Sequence, residues 1–88
     1  MKTVKVKLDG DLHDAQVFID DIRLNFHNGK AEMDRPAGEH ALTWFVRATP
    51  GTAYTVEITA PDESKFKHEG TVGSIGKDAG VQWFEVGD

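Results

Sequence analysis

The sequence predicts an all-β domain, a sandwich of short antiparallel strands. Three observations carry that prediction. Apolar residues alternate with polar ones in short runs, as in Val17-Phe18-Ile19 and Leu42-Thr43-Trp44-Phe45-Val46. Turn formers cut these runs at regular intervals: Asn28-Gly29, Pro36-Ala37-Gly38 and Pro50-Gly51. Helical spacing at i, i+3, i+4 persists nowhere over a ten-residue window. Period-2 apolarity bounded by Gly, Pro, Asn and Asp is the signature of a strand meander.

Taken in order, the chain opens on a strand over about residues 3–8, with Val4, Val6 and Leu8 on one face and Lys5 and Lys7 on the other. Asp9-Gly10-Asp11 reads as a turn, and residues 15–20 as a second strand. Ile22, Leu24 and Phe26 alternate up to His27-Asn28-Gly29-Lys30. Asn-Gly supplies the two positive-φ positions of a type I′ turn. That turn predicts a hairpin pairing His27 with Lys30, Phe26 with Ala31, and Leu24 with Met33.

His40–Ala48 reads as a strand with Leu42, Trp44 and Val46 inward. Ala53–Ala60 reads as another, with Tyr54, Val56 and Ile58 aligned. A three-residue loop, Pro50-Gly51-Thr52, would pair the two in a hairpin with matched apolar faces, whereas a two-residue loop would mismatch them. Pro61–Ser64 reads as a turn. A weak, glycine-diluted strand follows at Thr71–Ile75, then a turn at Lys77–Gly80 and a last strand at Val81–Val86. About seven strands in 88 residues predict a single β-sandwich domain spanning residues 1–88, immunoglobulin-like or transthyretin-like in topology.

Composition narrows function. The formal net charge of −5 disfavours nucleic acid and anionic membranes, which need clustered positive charge. No run approaches a transmembrane span, and none follows the initiator region as a signal peptide would. A cytoplasmic location follows if the chain is complete. Without cysteine there is neither a disulfide scaffold nor a thiolate metal site. Ser64 and Ser74 lie beside turns, away from any nucleophile elbow. His13, His27, His40 and His68 are scattered singly and read as exposed turn or strand-end residues. A non-catalytic chain without cofactor is expected. Asp9, Asp11 and Asp14 crowd one loop, but the bidentate acid of a calcium-binding loop is missing, and turn chemistry explains them.

Residues 15–48 resemble a PEGA-type domain, a small β-sandwich family. Val17-Phe18-Ile19-Asp20-Asp21 is similar to that family's strand ending in an acidic turn. Pro36-Ala37-Gly38-Glu39-His40-Ala41-Leu42 is similar to its P-A-G-x-H turn leading into a strand. The resemblance implies a non-catalytic accessory or binding module and supplies no catalytic residues.

The aromatic residues point to a surface. Neighbours on a strand face opposite ways. If Val17, Ile19, Leu42, Trp44 and Val46 fill the core, Phe18 and Phe45 point outward. Phe84 is a third candidate, since either face of the last strand satisfies the pattern. Clustered exposed aromatics mark a partner surface. The expected partner is a protein, or a second copy of the chain. The alternative is a small ligand such as a carbohydrate, stacked on the aromatic rings, and a small enzyme is the distant alternative.

Overall fold

Eight strands and one short 3-10 turn account for most of the computed structural model, which describes residues 1–88. The strands are β1 (Lys2–Gly10), β2 (Asp14–Ile19), β3 (Ile22–Arg23), β4 (Lys30–Arg35), β5 (Gly38–Arg47), β6 (Ala53–Ala60), β7 (Phe66–Thr71) and β8 (Lys77–Val86). The 3-10 turn, η1, spans Asp62–Ser64. Two four-stranded antiparallel sheets form, a first in the order β4-β1-β6-β7 and a second in the order β3-β2-β5-β8. The all-β sandwich expected from the sequence is what forms.

Alternation drives the packing. Val4, Val6, Tyr54, Val56 and Ile58 project from the first sheet onto Val17, Ile19, Leu42, Trp44, Val46, Phe84 and Val86 of the second. Leu24, Ala48 and Val72, on segments that cross between sheets, complete the core. Burial of such side chains contributes about 1.5–3 kcal/mol each and is the main term opposing chain entropy in a domain this small.

Only the β2–β3 and β6–β7 connections stay within a sheet. Two expected hairpins are therefore absent. β5 and β6 do not pair: β5 lies between β2 and β8, and β6 between β1 and β7. Their apolar faces meet across the sandwich instead, an arrangement with the same face parity as a hairpin. The Asn28-Gly29 turn does form, with φ of 54° and 75° and a His27–Lys30 bridge. Pairing stops there, because Leu24 turns into the core and β3 pairs with β2 in the other sheet.

The last third also differs from expectation. The strand lies at Phe66–Thr71 rather than Thr71–Ile75, and Lys77–Gly80 is strand rather than turn. The reversal falls at Gly73–Gly76, closed by a hydrogen bond from Gly76 N–H to the Gly73 carbonyl at 2.9 Å. Gly80 is in β8 for steric reasons: a Cβ there would sit 2.2 Å from Trp44 Cζ2.

Candidate functional site

Two polar clusters are fully occupied by structure. At one end of the sandwich, the β2–β3 turn and the β4–β5 turn meet. Asp20 Oδ2 accepts from His40 Nδ1 at 2.9 Å and from Arg35 Nη1 at 3.2 Å, and Asp20 Oδ1 accepts from Ala41 N–H at 3.1 Å. His40 Nε2 donates to the Pro36 carbonyl at 2.8 Å. Both ring nitrogens thus face oxygen acceptors, which satisfies the imidazolium form. Burial opposes that charge, but the bonds to Asp20 and Pro36 outweigh it and raise the His40 pKa above its ordinary value. Burial likewise opposes the Asp20 carboxylate, and the His40, Ala41 and Arg35 contacts overcome it and lower its pKa. His40 is buried, contrary to the expectation of an exposed turn histidine. Through these bonds His40 ties the β2–β3 turn to the β4–β5 turn. Ser64, expected at an exposed turn, is also buried and donates to the Glu85 carbonyl.

The second cluster bridges the sheets. Trp44 Nε1–H donates to Tyr54 Oη at 3.1 Å, and the Tyr54 hydroxyl donates to Asp78 Oδ2 at 2.6 Å. The His68 ring packs 4.9 Å from the Trp44 ring between centroids. Burial, then the Asp78 acceptor, push the Tyr54 hydroxyl up to about 12. Trp44 is a core anchor, as its strand parity predicts. No three histidine, aspartate or glutamate side chains converge on a point that would hold a metal ion.

The two outer faces of the sandwich differ sharply. That of the first sheet carries Thr3, Lys5, Lys7, Glu32, Asp34, Glu57 and Lys67, a solvated polar surface. That of the second sheet carries Phe45, Val81 and Trp83, which are 51%, 57% and 61% exposed. Phe18 is on the same face, half-buried, with its ring 6.2 Å from Phe45 in an edge-on arrangement. The outward placing of Phe18 and Phe45 is what strand parity predicts. Phe84 is not part of this face. It is only 6% exposed and packs against His40, so it belongs to the core. Its neighbour Trp83 takes the outward position. The Trp83-Phe84 pair was visible in the sequence, but only the β5–β8 register, with His40 opposite Phe84 and Ala41 opposite Trp83, decides which ring is inside.

The register orders the face into cross-strand rows along β5 and β8: Arg47 with Lys77, Phe45 with Ala79, Thr43 with Val81, Ala41 with Trp83, and Glu39 with Glu85. On these two strands cations close one end and carboxylates the other, with apolar groups between; on β2, Asp14 stands opposite Arg47 at the cationic end. A hollow of about 550 Å³ opens at the Arg47–Lys77 end, lined by Asp14, Phe45, Arg47, Ile75, Asp78 and Ala79 among others. Ile75, on the turn before β8, is almost fully exposed beside it.

Comparison with protein-family models, with curated proteins and with solved structures returns no match to this chain. No helix is long and apolar enough to cross a membrane.

Proposed function

We propose that this domain is a non-catalytic protein–protein interaction module working through the outer face of the second sheet. The observation that carries the reading is the grouping of Phe45, Val81 and Trp83, each about half or more exposed, on one sheet face of a sandwich whose opposite outer face is polar apart from Ala53. Contiguous exposed aromatics rimmed by charge are what partner surfaces present, and tryptophan is foremost among interface anchors. The non-catalytic part rests on the engagement of His40 and Ser64 in structural bonds. It agrees with the accessory role that the PEGA-type resemblance implies.

The test compares the wild type with Phe45→Ser/Trp83→Ser, a variant whose changes remove exposed side chains and leave the core intact. The wild type is expected to retain a protein that the variant does not, reproduced by titration of the purified component. Equal retention by both, together with absence of self-association, overturns the reading. The exposed Trp83 indole also favours a second reading, a stacking platform for a sugar ring. A saturable shift of tryptophan emission on glycan titration, lost in Trp83→Ser, selects that alternative.

A further inference from the structure

We infer that the occupant of this face is a second copy of the chain, packed face to face with its strands running antiparallel to the first. The inference rests on the interaction-module reading and goes further, naming the partner.

The argument is self-complementarity. Place a two-fold axis in the plane of the face, perpendicular to the strands and level with the Thr43–Val81 row. Each row then meets its mirror in the sequence of rows. Arg47 and Lys77 of one copy lie over Glu39 and Glu85 of the other, and the reverse holds at the far end. Phe45 lies over Ala41, and Trp83 over Ala79, so each large ring meets a small residue. Phe18, Thr43 and Val81 meet their own counterparts at the centre, since Phe18 is in register with Thr43. Along β5 and β8 one operator thus matches charge and size at once, the requirement of an isologous interface, while Arg23 of β3, in register with Phe18, meets its own counterpart at the edge of the face.

Two further observations fit the same operator. The end rows are like-charge pairs directly across a ladder, Arg47 with Lys77 and Glu39 with Glu85, and such pairs are unfavourable alone. None of these four residues has an ion-pair partner within the chain at 4.0 Å. Arg47 already faces Asp14 across the β2–β5 ladder, and the opposed copy supplies the countercharges that Lys77, Glu39 and Glu85 lack. The hollow beside Ala79, with Phe45 and Ile75 on its walls, also lies where Trp83 of the second copy would enter.

Edge-to-edge addition along β8 fits less well. Its Lys77 carbonyl accepts from Gly73 N–H and its Glu85 carbonyl from Ser64 Oγ, so both ends of the free edge are covered. The three longer strands of the face span about 14 Å by about 27 Å at ordinary strand spacings. Counted over both copies, that footprint falls below the about 1,000 Å² of a stable interface, so the association is weak and transient.

The experiment is sedimentation velocity on the full chain from about 5 to about 500 µM at low ionic strength, where charge pairing is least screened. The wild type is expected to move from monomer to dimer, and Phe45→Ser/Trp83→Ser to remain monomeric. A charge exchange tests the register. Arg47→Glu/Lys77→Glu makes the face acidic at both ends, and Glu39→Lys/Glu85→Lys makes it basic at both ends. Each variant alone is expected to be monomeric, and an equimolar mixture to form heterodimers. A wild type monomeric throughout, a dimer that survives Phe45→Ser/Trp83→Ser, or a mixture that stays monomeric while the wild type dimerises overturns the face-to-face arrangement. If the wild type is monomeric but still retains a different protein that the serine variant loses, the second-copy inference alone fails. If retention is also equal, the interaction-module reading fails with it.

Discussion

Gly80→Ala is the sharpest probe of how the core is assembled. Gly80 is opposite Trp44 in the β5–β8 ladder, and the indole lies across it. An added Cβ would be 2.2 Å from Trp44 Cζ2, 2.6 Å from Cε2 and 3.0 Å from Cη2. Carbon atoms in contact sit about 3.5–4.0 Å apart, so the ring must retreat by more than about 1 Å. It has little room to do so, being 3% exposed and tied through Nε1–H to Tyr54 Oη. Overpacking of this kind costs about 1–3 kcal/mol. Loosening the indole–hydroxyl bond adds about 0.5–1.5 kcal/mol. Reduced entropy of the unfolded chain offsets about 0.4–1 kcal/mol. The net expectation is a loss of about 2–3 kcal/mol, or a fall in Tm of about 10–20 °C for a domain of this size. Urea unfolding followed by circular dichroism measures it, with Gly80→Ala repeated in a Trp44→Phe background. Phenylalanine lacks the crowded indole atoms, so the second step should cost much less there than in the wild type. A Gly80→Ala protein within about 0.5 kcal/mol of wild type, or an equal cost in both backgrounds, refutes the placing of Trp44 over Gly80.

Gly29→Val should lower Tm clearly, because Gly29 has φ of 75° and a Cβ there would lie 2.7 Å from the Leu8 carbonyl oxygen. An unchanged melt would contradict the turn. Stability should also depend on pH through the Asp20–His40 lock. The folded pKa of His40 is raised above 6.5, so its contribution is complete below that pH and is lost as pH rises through the folded value. Asp20 is lowered below 3.8, so its contribution is present above that pH and is lost as pH falls through the folded value. Tm should therefore fall as pH rises above 6.5 in the wild type and fall less in His40→Gln; identical slopes would show that His40 is not the group responsible. Thermal melts with about 1 mM calcium and with chelator should coincide, and a clear calcium-induced rise would reveal a site formed by the acidic loop residues.

Strand parity alone placed much of this molecule. Val17, Ile19, Leu42, Trp44, Val46, Tyr54, Val56 and Ile58 are buried as their alternation predicts, and Phe18 and Phe45 face outward. The Asn28-Gly29 turn was equally legible, because its backbone chemistry is local. Parity states which side of a strand is apolar. It does not state whether a neighbour lies beside that strand or across the core, and so β5 and β6 looked like a hairpin. Nor did local pattern reveal why Gly70 and Gly80 sit inside strands: each leaves room for a ring, of Tyr54 or Trp44, that arrives from a distant segment. His40 looked like a solitary turn histidine until the β2–β3 turn brought Asp20 to it over twenty residues of chain. The same limit governs the site. Trp83 and Phe84 are equally apolar neighbours in a strand, and only pairing with β5 turned one into the core and the other into solvent. The rows of opposed charge and size belong to that pairing as well, since residues far apart in the chain become neighbours only when the sheet forms.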